Sequence, residues 1–258
     1  MNSTKLIIFD MDGLMIDTER LNLKGWIDIG KKHNYTIQAK NIQKIMGMAR
    51  HEHEPILRKD FGDDFPYETI YTEKNQYVTD IIEREGISVK PFLLELLDVL
   101  DHMRIKKVVA TGTGRERAIY LLKKAGIYQR FDDMICGDEV KNGKPNPEIF
   151  LTACKKVNIS PEEAIVLEDS QNGLIAAHNA GIKCFLVPDL QYPSPQYENY
   201  AEKICETLKD TIDYIKKWYY NSKSLVLLSS YFLTYNKTIH SYGLNFFHNC
   251  GLFWIKSY

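Results

Sequence analysis

The sequence predicts an α/β protein: a parallel sheet covered by helices on both faces, with an all-helical insert after the first strand. Three observations predict it. Short apolar runs alternate with helix-periodic segments along most of the 258 residues, as in successive βα units. Two helical segments end in the same step, Ala125-Gly126-Ile127 and Ala180-Gly181-Ile182, where a left-handed cap stops a helix and feeds the next strand. Between about Thr18 and Gly86 the alternation gives way to helical spacing alone, with stripes at Leu21, Trp26, Ile29 and at Ile42, Ile45, Met46.

The predicted strands are Lys5–Phe9, Lys107–Ala110, Met134–Cys136, Ala164–Leu167 and Lys183–Val187. Their near-continuous apolar character suits strands buried on both faces. One helix starts at Pro91 and carries Phe92, Leu96, Leu97 and Leu100 on one side. A second spans Arg115–Ala125. In a third, Asn146-Pro147-Glu148 reads as N-cap, first-turn proline and first-turn acid before an Ile149, Ala153, Val157 stripe. A fourth spans Gly173–Ala180, and Glu206–Trp218 closes the fold. Residues Asp189–Glu202 read as loop. The last stretch, Asn221–Tyr258, has three lysines, no acids and no clear helical period. The chain thus divides into a core of residues 1–17 and 87–220, a helical cap of residues 18–86, and a C-terminal extension, 221–258, of unassigned role.

Length and composition bound the function. The chain is long enough for a sizeable core, and its 44% hydrophobic and 26% charged residues are those of a globular protein. A formal net charge of −1, without basic blocks, points away from nucleic acid. The opening apolar run is too short for a signal peptide, and no segment reaches the roughly 18 apolar residues of a membrane helix. Five scattered cysteines without a CxxC read as reduced thiols of a cytoplasmic protein. A monomer is the default expectation, with a homodimer as the alternative.

Parallel sheets bind ligands at the carboxyl ends of their strands, and the polar residues cluster there. Asp10 follows the first strand, and Asp12 lies two residues on, in a turn opened by Gly13. Such a pair can supply a carboxylate nucleophile and a general acid/base; alone it also reads as two solvated acids. Thr111-Gly112-Thr113-Gly114 follows the second strand and could hold a phosphate at a helix N-terminus, or be a plain turn. Lys144, between Gly143 and Pro145, could neutralise a phosphoryl oxygen, or be solvated. Glu168-Asp169 offers hard oxygens suited to Mg²⁺, although a helix N-cap acid is the ordinary reading of Asp169. Taken together they are the parts of phosphoryl transfer: nucleophile, acid/base, phosphate cradle, cation and metal site.

The segments IFDMDGLMIDTE, VVATGTGR, GKPNPEIF and VLEDSQNGLIAAHNAGI resemble, in order, the four motifs of the haloacid dehalogenase-like superfamily. The resemblance covers roughly Lys5 to Trp218, and the insert is similar in position to the α-helical cap of β-phosphoglucomutase-like phosphatases. It implies a Rossmann-like core and a Mg²⁺-dependent enzyme. Asp10 would be nucleophile and metal ligand. Asp12 would be general acid/base and bind the metal through its backbone carbonyl. Thr111 and the Gly112 amide would hold the phosphoryl group, Lys144 would stabilise its charge, and Asp169 would ligate Mg²⁺, with Glu168 as a further ligand or supporting partner. In the cap, Gly47-Met48-Ala49-Arg50 resembles a segment whose arginine meets a substrate phosphate. Lys74-Asn75-Gln76-Tyr77 resembles one whose lysine reaches a sugar.

Three functions compete. A dehalogenase would not need Asp12 or the paired Glu168-Asp169. A mutase of the β-phosphoglucomutase type has a histidine in the first cap helix, where Asn22 stands here. An inactive binding protein would not keep every core residue. The expectation is a phosphatase acting on a small phosphorylated metabolite, a sugar phosphate by preference, through an aspartyl-phosphate.

Overall fold

A computed structural model of the protein describes residues 4–217 and 219; the extension at 221–258 and Trp218 lie outside the described residues. Six strands form one parallel sheet: β1 (Leu6–Phe9), β2 (Lys106–Thr111), β3 (Asp133–Cys136), β4 (Ala164–Glu168), β5 (Lys183–Leu186) and β6 (Lys203–Ile204). Their spatial order is β3-β2-β1-β4-β5-β6. β1 is central, with Ile8 opposite Val108 of β2 on one side and Val166 of β4 on the other.

Side chains of β1 alternate between two apolar layers. Ile7 and Phe9 join the layer formed with α5 (Leu93–Met103), α6 (Arg115–Lys124) and the helix at residues 208–217. Leu6 and Ile8 join the layer formed with α7 (Glu148–Val157) and α8 (Gln171–Asn179). The sheet is therefore covered on both faces, as predicted. Both Ala-Gly-Ile steps form the expected caps: Gly126 and Gly181 have φ of +71° and +68°. Ile127 N–H donates to Leu122 O and Ile182 N–H to Ala177 O, closing the last turn of each helix.

Between β1 and α5 run α1 (Glu19–Lys32), α2 (Ala39–Ile42), α3 (Arg50–Phe61) and α4 (Tyr67–Glu85). They share a third apolar cluster built on Trp26, Ile42, Leu57, Phe65, Tyr67 and Ile70. This insert touches the sheet's carboxyl end: the Asn172 amide donates to Met46 O at 2.9 Å, and Arg117 donates to Thr79 Oγ1 at 2.6 Å.

Several local expectations are corrected. Phe92 is not on the buried face of α5; it precedes the helix in a left-handed conformation (φ 65°) and is 39% exposed, while Leu93 takes the inward position. Asn146 caps from one residue further out, its Oδ1 accepting from Glu148 N–H, so the helix begins at Glu148. β5 stops at Leu186 rather than Val187. The stretch predicted as loop contains a 3₁₀ turn at Pro195–Tyr200 and leads into β6.

Candidate active site

The chain's strand order reverses direction at β1: β2 and β3 build out on one side, β4 to β6 on the other. Ligand sites of open parallel sheets form at such a point, beyond the strands' carboxyl ends. Asp10, Thr111 and Asp169 stand there, all buried, and the Lys144 loop reaches in from before α7.

Lys144 is the centre of the arrangement. Its ammonium is fully buried and donates to Asp10 Oδ1, to Glu168 Oε1 at 2.5 Å and to Ala110 O at 3.0 Å. All three of its hydrogens are thus placed. Burial alone would lower its pKa; the Asp10 and Glu168 carboxylates outweigh that and hold the charge on. Glu168 is fixed from its other side. Its Oε2 accepts from the Asp169 and Ser170 amides and from Ser170 Oγ, each at 3.0 Å. These donors sit at the start of α8, where the helix favours negative charge.

Asp12 is held by hydroxyls. Thr18 Oγ1 donates to its Oδ1, and Thr113 Oγ1 donates to its Oδ2 at 2.8 Å, with Thr111 Oγ1 at 3.5 Å. The turn that brings Asp12 back depends on Gly13 (φ +83°), where an added Cβ would fall 2.1 Å from Asp169 Oδ2. Asp169 is thereby pressed against the Asp10–Gly13 turn.

The carboxylates of Asp10, Glu168 and Asp169 offer oxygens within 4.8 Å of one another, all buried. Burial raises Asp10 to about 8, against the pull of Lys144, and burial followed by repulsion from Glu168 raises Asp169 as well. Three buried acids face one ammonium. This excess of hard oxygen charge fits Mg²⁺, which prefers carboxylate ligands and neutralises them. Glu168, with both oxygens already engaged, serves first to hold Lys144.

Of the sheet-end residues, Asp10, Asp12, Thr111 and Gly112 border a chamber of about 100 Å³ between sheet and insert. The two predicted cap residues both border it, in different states. Lys74 is buried, donates to Asn22 Oδ1 at 3.0 Å and lies near the rings of Tyr71 and Trp26; burial, then the Arg117 charge, lowers it to about 8. Arg50 is half exposed, pairs with Glu68 at 2.5 Å and stacks on Tyr71. Sequence reasoning did not single out Thr18, Glu19, His53, Thr113 or Arg117, which also line the chamber. Thr18, Glu19 and Thr113 stand inside or beside the quoted motifs. His53 and Arg117 are isolated residues on helices, without a local pattern to mark them.

Fold and site together define a capped α/β enzyme with a carboxylate–lysine centre at the sheet's switch point. A sequence profile of haloacid dehalogenase-like hydrolases matches residues 7–187, and the chain belongs to that family of hydrolytic enzymes. It is 34% identical over 182 residues to a phosphorylated carbohydrates phosphatase of Thermotoga maritima, covering 69% of this chain and 82% of that protein. Identity to a fructose-1-phosphate phosphatase of Escherichia coli is 32% over 183 residues, covering 68% and 92%. Among solved structures, CbbY from Rhodobacter sphaeroides in complex with phosphate superposes with a TM-score of 0.68 at 25% identity, covering 79% and 94%. No helix among the described residues is long and apolar enough to cross a membrane.

Proposed function

We propose that the protein is a Mg²⁺-dependent phosphatase that hydrolyses a small phosphorylated carbohydrate through an aspartyl-phosphate on Asp10. The observation that carries the reading is the buried Lys144 ammonium clamped between Asp10 and Glu168. It holds one oxygen of Asp10 and leaves Oδ2 for attack on phosphorus. As the new O–P bond forms, the ester P–O bond breaks and the leaving oxygen takes a proton from Asp12. Asp12 then takes a proton from the water that attacks the aspartyl-phosphate, releasing phosphate and restoring Asp10. Thr18 and Thr113 aim Asp12 in both steps. Thr111 and the Gly112 amide hold the phosphoryl oxygens, and Lys144 offsets their charge.

Asp10, Asp169 and the Asp12 backbone carbonyl would hold Mg²⁺, with Glu168 in support; when bound it offsets the repulsion between Asp10 and an anionic substrate. The substrate class is supported by the relatives that act on phosphorylated carbohydrates and fructose 1-phosphate and by a small chamber bordered by Asn22, Asn75 and Lys74. Asn22 favours hydrolysis over a mutase, because its side chain cannot titrate and is engaged by Lys74. The scattered cysteines, four of them buried free thiols, support a cytoplasmic setting.

The test is phosphate release from a panel of sugar and polyol phosphates, with and without Mg²⁺, for wild type and Asp10→Asn. Metal-dependent release that the variant lacks is expected. Release retained by Asp10→Asn would remove Asp10 as nucleophile. Conversion of β-glucose 1-phosphate to the 6-phosphate without phosphate release would make the protein a mutase.

A further inference from the structure

Among the described residues, two buried side-chain polar atoms lack any polar partner, Asp189 Oδ2 and His53 Nδ1, whereas the buried His33 Nε2 lies 3.1 Å from Glu73 Oε1. Only His53 borders the active-site chamber. It lies on α3, one turn after Arg50. Its Nε2 is 3.2 Å from Met48 O. A carbonyl can only accept, so Nε2 carries the hydrogen in this pair and Nδ1 is left as a lone-pair acceptor. Burial lowers the ring's pKa to about 4, with Lys74, His51 and Arg50 adding to the effect against the Met48 carbonyl. The imidazole therefore stays neutral and Nδ1 stays an acceptor. A buried acceptor without a donor is uncommon and costly. Among the described residues none donates to it; the neighbouring cation Lys74 directs one hydrogen to Asn22 and none to this nitrogen.

We infer that His53 is a specificity-determining residue, whose Nδ1 accepts a hydrogen bond from a hydroxyl of the substrate's leaving group. With Lys74 as donor nearby, the cap side of the chamber presents both a donor and an acceptor. That combination suits a polyhydroxylated carbon chain, since each hydroxyl can give and take a hydrogen bond. An unsubstituted alkyl or aryl phosphate would leave Nδ1 unpaired. This inference rests on the phosphatase reading and narrows its substrate class.

The experiment compares wild type, His53→Leu and His53→Gln on fructose 1-phosphate, glycerol 3-phosphate and 4-nitrophenyl phosphate. The last has no hydroxyl. His53→Leu should lower kcat/KM on the hydroxylated substrates by roughly 10- to 100-fold, chiefly through KM. It should leave 4-nitrophenyl phosphate within about twofold, and His53→Gln, which keeps an acceptor oxygen, should recover part of the loss. An equal fall on all substrates would make His53 merely structural and overturn the inference, as would no fall on any. If wild type hydrolyses none of them, the phosphatase reading fails, and His53 is then judged by binding. The ¹⁵N resonance of Nδ1, followed in the Mg²⁺-loaded full chain, should move on adding fructose 1-phosphate and not on adding inorganic phosphate. An unmoved resonance overturns the inference on its own.

Discussion

Gly143 sits where the lysine loop meets the first turn of α3. A Cβ built there would lie 2.7 Å from both the Cβ and the backbone nitrogen of Ala49, and 2.1 Å from Glu52 Oε2. The Glu52 carboxylate can swing aside. Ala49 cannot, being fully buried at the helix start. Non-bonded carbons rest at about 3.5–4.0 Å, so Gly143→Ala must part the insert and the lysine loop by roughly 1 Å. Lys144 is the next residue, and a misplacement of about 1 Å costs on the order of 100-fold in rate. The expected result is a fall of about that size in kcat/KM, or about 2.7 kcal/mol in barrier. Tm should drop by no more than a few degrees, because the three apolar clusters are untouched. The assay is steady-state phosphate release at saturating Mg²⁺, with Gly114→Ala as control. Gly114 has φ −66°, and its added Cβ would meet only the Asp138 carboxylate, at 3.3 Å; that variant should stay within about twofold. Wild-type kinetics in Gly143→Ala would refute the idea that insert and loop must approach this closely during turnover.

Lys144→Met leaves Asp10 and Glu168 buried without their cation; the metal-free protein should lose about 3–5 kcal/mol, read as a Tm lower by roughly 6–20 °C, with Mg²⁺ restoring part of it. An unchanged Tm would contradict the ion-pair assignment. Lys74 is depressed to about 8 by burial, so its contribution to stability is present above pH 10.5 and lost as pH falls through about 8. Lys74→Met should therefore raise Tm by several degrees at pH 7 while lowering kcat/KM, and its Tm advantage should vanish above about pH 10.5. His53 is likewise depressed, to about 4, so its stabilisation is present above pH 6.5 and lost as pH falls toward 4. In thermal melts, His53→Phe should flatten the decline of Tm across that window.

The strands of the core are legible because burial on both faces demands unbroken apolar runs, as in Leu6–Phe9 and Ala164–Leu167. β6 escapes such a reading: it is two residues long, at the sheet's edge and only partly covered. Phe92 misleads because hydrophobicity is not position; a left-handed backbone turns it out of the stripe that Leu93 completes. Asp10, Thr111 and Asp169 are legible because strand ends fix where their side chains go. Thr18 and Thr113, which hold Asp12, become meaningful only when the Gly13 turn folds the chain back. His53 and Arg117 reach the chamber through helix packing, which leaves no short-range trace.

The central place of β1 has a consequence for how the protein comes into being. The strand that leads into Asp10 is the first of the six to be made, yet its partners follow after about 100 residues for β2 and about 160 for β4. Contacts so distant along the chain form late and slowly. A nascent chain with the whole insert and β2 would still lack Lys144, Glu168 and Asp169, and one edge of β1 would stand unpaired, open to pairing with other chains. The carboxylate–lysine centre and the last protection of its founding strand thus arrive together, when β4 docks.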